Sequence, residues 1–402
     1  MTIRRSSNDR LVLGPLLILA VGTFILGTDG FVLNGLLPTI AADLHVSESV
    51  AGQLTTVFAA TYAISSPLIA AFTGSWDRKR LLGAGLVLFT IGMAGQALGE
   101  SFTVVAVSRV LAAIGAAAFQ ANAYVMAGAI APETRRGQAL ATVAAGMSVS
   151  MVLGVPIGVL AGNLAGWRAV MWGIGALGIL VALAVPMLPA VHVPAAGLRD
   201  RLSVVVRPPI ARVLGVTVLA MLATFGVATY LPVIAKDVAA GAVLAWVLVG
   251  NGIGQVIGTT LAGRWTDRFG PDRVRLISLS GVASALLLLD FAALSLPSTI
   301  VYALLIGGFA GMLMVPQQHR LFSLAPDAPS VALGLNGSAI YAGGALGSAV
   351  GGVVLAWAGP KWLGPVAAVS VLLALALSTR REKQAPAHDR VHAGDKRPAE
   401  AR

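Results

Sequence analysis

Long apolar runs alternate with short polar gaps along nearly the whole chain. A helix rises about 1.5 Å per residue, so roughly 20 apolar residues cross a bilayer core about 30 Å thick. Runs of that order lie at about 13–36, 51–72, 82–98, 102–127, 138–162, 169–188, 213–235, 240–262, 276–295, 299–316, 331–356 and 362–378. They predict an all-α membrane protein of twelve transmembrane helices. The longest gap, 189–212, is rich in Pro and Arg (Pro194, Arg199, Arg201, Arg207, Pro208, Pro209). It divides the chain into an N-tail (1–12), a six-helix bundle (13–188), the central loop itself, a second six-helix bundle (213–378) and a polar tail (379–402). The tail has no apolar face and is expected to be disordered.

The two halves carry traces of a repeat. Gly74-Ser75-Trp76-Asp77-Arg78-Lys79-Arg80 follows the second span, and Gly263-Arg264-Trp265-Thr266-Asp267-Arg268-Phe269-Gly270 follows the eighth, 189 residues later. Ala131-Pro132-Glu133 and Ala325-Pro326-Asp327 are 194 apart, as are Gly158 and Gly352. Coincident offsets in corresponding loops argue for duplicated six-helix halves. Small residues recur every four positions in span five (Gly146, Ser150, Gly154, Gly158, Gly162), span eight (Gly250, Gly254, Gly258) and span eleven (Ala339, Gly343, Gly347, Gly351, with Gly344, Ser348 and Gly352 beside them). That spacing puts each set on one face, where backbones approach closely. One expectation is plain packing; the sharper one is that these smooth faces let the halves rock against each other.

Three ionisable side chains fall inside the spans: Asp29, Arg109 and Asp290. A charge at the centre of a lone helix costs on the order of 2.5–3.5 kcal/mol on insertion scales, so such residues face protein or water and mark function. Asp29 lies about seven residues before the outer end of the first span, and Arg109 about seven after the outer start of the fourth. Both then sit roughly 10 Å below the outer face, at a depth that permits pairing. Burial disfavours a charged carboxylate and a neighbouring Arg favours it. Proton and substrate could therefore compete for Asp29, which is the minimal physics of exchange. The alternatives are an interfacial, snorkelling Asp29 and an Arg109 that holds backbone carbonyls. Asp290, near a helix end, is expected to be interfacial. Candidate cavity-lining residues are Asn34, Gln53, Tyr62, Gln120, Asn122, Asn251, Gln255, Asn336 and Tyr341. Each could bind a solute or bond a neighbouring helix. Amides and aromatics with few charges suit an uncharged or weakly cationic solute.

Composition agrees with the pattern and narrows it. The 402 residues are 57% hydrophobic and 11% charged, against roughly 25% charged in soluble domains. With no Cys, disulfides and thiol chemistry are excluded. The N-terminal run is too long for a signal peptide and lacks a cleavage site, so it is expected to be a retained helix. The net charge of +11 is a topology signal: 24 of 28 Lys and Arg lie in alternate gaps and both tails, and three (Arg168, Lys236, Lys361) in the others. This places both termini in the cytoplasm and leaves nucleic acid no basic domain. No Walker-type loop, catalytic triad, paired carboxylates or metal cluster is present, so neither direct ATP drive nor an enzyme is expected.

These residues resemble the major facilitator superfamily over about 10–380. Gly74, Asp77, Arg78 and Arg80, with Gly263, Asp267 and Arg268, look like its gating loop motif. In the first copy Asp lies three residues after Gly rather than the usual four. Ser108-Arg109 through Gly115 looks like the fourth-helix motif. Gly154, Pro156 and Gly158 look like the fifth-helix antiporter motif, with Val155 interposed. Gly27-Thr28-Asp29-Gly30-Phe31, with Pro38 and Gly166-Trp167-Arg168, resembles the twelve-helix drug:proton antiporter branch of sugar, arabinose-type, nucleoside and chloramphenicol exporters. The resemblance implies proton-coupled efflux of a small organic solute or drug by a multi-pass protein of the bacterial cytoplasmic membrane. It implies a monomer whose partners are substrate, protons and the bilayer, without a cofactor. The loop clusters around Asp77 and Asp267 would latch the halves together when the transporter faces outward. The alternatives are an uptake symporter or uniporter of a small metabolite, and a non-transporting membrane sensor.

Overall fold

The computed structural model describes residues 7–73, 76–192, 198–292 and 294–379; Gly74, Pro194 and the tail beyond Thr379 lie outside the described residues. The first half contains α1 (Ser7–Gly35), α2 (Leu37–Asp43), α3 (Glu48–Phe72), α4 (Arg78–Leu98), α5 (Phe102–Ile130), α6 (Arg136–Val149), a π-helical turn (Ser150–Gly154), α7 (Val155–Ala165) and α8 (Trp167–Ala184). A short α9 (Leu198–Val205) lies in the central loop. The second half contains α10 (Pro208–Ala228), α11 (Leu231–Ile234), α12 (Leu244–Phe269), α13 (Pro271–Leu287), α14 (Leu289–Ala292), α15 (Leu296–Leu324), α16 (Pro329–Trp357) and α17 (Leu363–Thr379). No strand occurs among the described residues.

Eleven helical segments among the described residues are long and apolar enough to cross a membrane. Their outward faces expose large apolar side chains such as Leu164, Leu183, Met187 and Trp357, as a lipid-facing surface requires. The ninth predicted span is the exception: α13 has only 17 residues, and the chain turns at Leu288 before α14, where Asp290 is exposed. Helix starts follow local chemistry. Ser47, Asp77, Ser101 and Ser295 each accept a hydrogen bond from a first-turn N–H of the helix that follows.

Several expectations change in three dimensions. The segment Gly263–Arg268 is not a loop: α12 runs on through Phe269, and the turn falls at Gly270, whose φ of +83° suits glycine. The central gap is partly helical, because α9 lies in it and Pro208 opens α10 earlier than the apolar run suggests. The fifth span is one long segment, 133–165, containing the π-helical turn directly before Pro156. Proline has no N–H to give and crowds the carbonyl four residues back, and the widened turn absorbs that mismatch.

The stripes of four-residue spacing do not lie between the halves, although Gly352 beside the span-eleven stripe does, since a Cβ there would strike Gln53 of the first half. A Cβ at Gly146, Gly154, Gly158 or Gly162 would strike Ala20, Thr28, Val32 or Leu36, all within or next to α1. One at Gly254 or Gly258 would strike Leu304 or Gly308 of α15, and one at Gly343 or Gly347 would strike Val218 or Leu222 of α10. The stripes knit each half together, as close van der Waals packing in lipid demands. Rocking faces are therefore not what they form.

On the face opposite the basic loops, the Asp43 carboxylate accepts bonds from Trp167 Nε1 (3.1 Å) and from Arg168, whose Nη2 also reaches the Gly99 carbonyl at 2.8 Å. Partial burial works against the charged form of Asp43, but these bonds outweigh it and hold its pKa below the usual carboxylate value.

Candidate functional site

Asp29 comes from α1 and Arg109 from α5, and the fold brings them into contact. Arg109 Nη1 donates to Asp29 Oδ1 at 2.7 Å, and both side chains are fully buried. Around Arg109 the helix is lined with small buried residues, Ala112, Ala113, Ala116 and Ala117, and Gly92 of α4 packs directly on the Ala112 backbone, which brings α4 and α5 close together. The bond is single-point. Asp29 Oδ2, Arg109 Nε and Arg109 Nη2 have no hydrogen-bond partner among the described residues. A buried pair with unmet hydrogen bonds is poor as a stabilising device, because desolvation is offset only when the remaining atoms are satisfied. Phe58 of α3 lies under the guanidinium, 4.2 Å from Arg109 Cζ to the ring centroid.

A cavity of about 290 Å³ lies between the two halves. Its walls include Phe31 and Asn34 of α1, Met147, Met151 and Val155 of the fifth span, Met221, Thr224 and Phe225 of α10, and Asn251, Gln255 and Thr259 of α12. Tyr302, Met314 and Tyr341 complete its chemistry. No Asp, Glu, Lys or Arg lines it. Four of the chain's ten Met residues do, and such flexible, polarisable side chains adapt to ligands of differing shape.

The halves meet above this cavity, on the side away from the basic loops. Ser49 Oγ donates to the Gly352 carbonyl at 2.7 Å, and Gln53 Nε2 reaches Tyr230 Oη at 3.4 Å. Tyr230 is fully buried, and a Cβ at Gly52 or Gly352 would collide with it. Gly252 packs on the Met151 and Val152 backbone. On α3 the buried positions run from Ala51 to Tyr62 and stop, so the helix loosens toward the basic face.

Of the nine candidate lining residues, Asn34, Asn251, Gln255 and Tyr341 reach the cavity, and the other five do not. Gln53 belongs to the seal. Tyr62 is buried and stacks on Tyr341, with ring centroids 3.7 Å apart. Gln120 stays on α5 with a buried, unpartnered Oε1. Asn122 is a structural partner, because its Oδ1 accepts from Arg78 Nη1 at 3.2 Å and its Nδ2 donates to the Ala118 carbonyl. Asn336 accepts from Thr217 Oγ1 at 2.9 Å, and Gln317 Nε2 donates to the same hydroxyl. In the first loop motif, Asp77 Oδ1 accepts from the backbone N–H of Lys79 and of Val191. These bonds of Asp77 and Arg78 cap α4 and tie it to α5 and to the start of the central loop; none of them reaches the second half, so they are not an inter-half latch in this conformation. Gly154 and Gly158 face α1 and Pro156 is buried; none of the three lines the cavity.

Sequence reasoning overlooked Phe58, Tyr230 and the cavity methionines. A signal existed for Tyr230: Tyr230-Leu231-Pro232 repeats Leu36-Leu37-Pro38 at the same offset of 194.

A family model described as Major Facilitator Superfamily matches residues 19–235 and again 213–400. The chain belongs to the major facilitator superfamily. The chloramphenicol resistance protein of Streptomyces lividans is 33% identical over 392 residues, covering 93% of this chain and 98% of that protein. The MFS-type transporter YtbD of Bacillus subtilis is 31% identical, covering 96% and 99%. The inner membrane transport protein YdhP of Escherichia coli is 29% identical, covering 92% and 97%. This is thus a multi-pass membrane protein of a transporter family, and the buried pair and cavity are features of a superfamily member.

Proposed function

We propose that this chain is a proton-coupled exporter of a small, uncharged or weakly cationic organic solute across a bacterial cytoplasmic membrane. The observation that carries the reading is the Asp29–Arg109 pair, fully buried beside an uncharged inter-half cavity and left with three unsatisfied polar atoms. In this reading Asp29 is the proton carrier. A proton arriving at Oδ2 removes the charge that Arg109 balances. The guanidinium is then uncompensated in a low-dielectric setting, which drives rearrangement. Arg109 becomes free to meet a solute acceptor group, and release of the proton restores the pair.

Twelve spans are part of the proposal, with α13 and α14 together as the ninth and both termini in the cytoplasm. The excess of Lys and Arg in alternate loops supports this topology. The seal through Ser49, Gly352 and Tyr230 then closes the outer side, and the cavity faces inward. Efflux is favoured by the similarity to the chloramphenicol resistance protein of Streptomyces lividans and by the Gly154–Gly158 motif. Monomeric action needs no second copy, since both halves of the cavity come from one chain.

The test uses inverted vesicles energised to a known pH gradient. Phenicols, sugars, nucleosides and lipophilic cations are added in turn. Proton release on adding one class, lost in Asp29→Asn, is the expected result. Full gradient-driven transport by Asp29→Asn would overturn the coupling assignment. Gradient-driven uptake in right-side-out vesicles would favour a symporter instead.

A further inference from the structure

The cavity and the ion pair are neighbours, yet they do not communicate. Asp29 and Arg109 have no exposed surface and neither lines the cavity. Between them stands an aromatic group drawn from both halves. Tyr341 of α16 lines the cavity, stacks on Tyr62 of α3 at 3.7 Å with planes 26° apart, and lies 6.4 Å from the Phe58 ring. Phe58 in turn covers Arg109. Tyr62 and Phe58 ride on the same half as the pair, whereas Tyr341 rides on the other.

We infer that Tyr341 is the gate between the solute cavity and the Asp29 carboxylate, a positioning residue whose ring shields the pair while α16 packs on α3. The shield is supplied by the opposite half, so it moves with the inter-half motion rather than with either member of the pair. Separation of α16 from α3 draws Tyr341 off Tyr62 and opens a path to Asp29 Oδ2. Access to the carboxylate is thereby tied to conformation, which a gate carried on α3 or α5 would not achieve. The charged group facing Asp29 in this arrangement is Arg109 from α5; Asn34 and Thr55 bond each other at 2.8 Å on the α1–α3 side. The inference rests on the proposed role of Asp29 for its biological meaning, but the shielding itself does not.

The test reads shielding directly. The purified full chain, in lipid vesicles without solute, is treated with dicyclohexylcarbodiimide, which modifies protonated carboxyls in apolar surroundings. Modification at Asp29 is followed by peptide mass spectrometry, with Asp29→Asn as the blank. Tyr341→Ala is expected to raise the rate at Asp29 at least several-fold. Tyr341→Phe keeps the ring and is expected to match the unsubstituted chain. The unsubstituted chain, treated in parallel under the same conditions, sets the reference rate. Tyr341→Leu supplies a second ring-less variant should Tyr341→Ala fold poorly. Equal Asp29 rates with and without the ring would overturn the gate. If the rate rises but transport proves independent of the pH gradient, the gate stands and the coupling reading falls. If transport requires Asp29 but the rate is unchanged, the coupling reading stands and the gate falls.

Discussion

The two halves share a frame and differ in what it holds. At the offset of 194, Leu37-Pro38 matches Leu231-Pro232, and each pair opens a short helix after the first span of its half. Thr23 matches Thr217 at the same offset, and both are fully buried. Thr23 Oγ1 donates to the Val143 carbonyl at 2.8 Å, tying α1 to α6, and Thr217 Oγ1 donates to Asn336 at 2.9 Å, tying α10 to α16. The positions that match Asp29 and Arg109 are Ala223 and Ala303, also fully buried. The first half buries a charged pair where the second buries two methyl groups. The second half instead holds a neutral network of Thr217, Gln317 and Asn336. Packing contacts survive in both copies because every span must approach its neighbours. A buried charge survives only where something offsets its cost, so under the proposed function the first half alone holds a coupling site.

The comparison breaks most readily at the pair. Arg109→Ala leaves the Asp29 charge buried and unpaired, and should destabilise by about 3–5 kcal/mol. Adding Asp29→Asn should recover most of that loss in thermal unfolding while transport stays absent. An Arg109→Ala protein as stable as the parent would show that the pair is not ionised as drawn. Next in size are the packing glycines. Gly258→Val forces a side chain into the Gly308 backbone and should cost about 1–3 kcal/mol. Gly337→Ala, where a Cβ meets nothing within 4 Å, should be neutral or slightly stabilising in the same melting experiment.

The neutral network should matter less. Gln317→Leu removes bonds to the Val213 carbonyl and to Thr217, each about 0.6 kcal/mol by membrane precedent. Gradient-driven transport should persist at near-parent rates. Transport loss equal to that of Asp29→Asn would mean the second half carries chemistry after all. The smallest effect concerns the exposed Arg207–Asp327 pair, 2.6 Å apart. The Arg207 bond holds the Asp327 carboxyl down at about 2, from its ordinary 3.8. A lowered folded value contributes stability above pH 4 that disappears as pH falls toward 2. Solvent screens the pair, so Asp327→Asn should leave the melting temperature at pH 7 unchanged within error.

Much of this was legible in residues. Span lengths emerged because hydrocarbon thickness dictates them, and the Asp29–Arg109 contact was foreshadowed by equal depth along two helices. Four of nine cavity candidates reached the cavity; Gln53 went to the seal, Tyr62 to Tyr341, Asn122 and Asn336 to bonds such as Arg78–Asn122, and Gln120 stayed on α5 with its Oε1 buried. A polar residue in a span must find some partner, and periodicity does not say which. The glycine stripes show the same limit: spacing of four identifies a smooth face, but not the helix that fills it.

Sequence alone therefore determined the solvent this chain lives in, the approximate spans and the two residues most expensive to bury, since these depend on local length, polarity and charge. Only the tertiary structure decided that the stripes of four-residue spacing lie inside the halves, that Gly263–Arg268 continues a helix, and that Tyr230 seals one side while Tyr341 stacks on Tyr62 from the other half. Those outcomes depend on which faces meet, and inter-helix contacts in lipid are chosen by shape and hydrogen bonding between distant segments. No single segment carries that information.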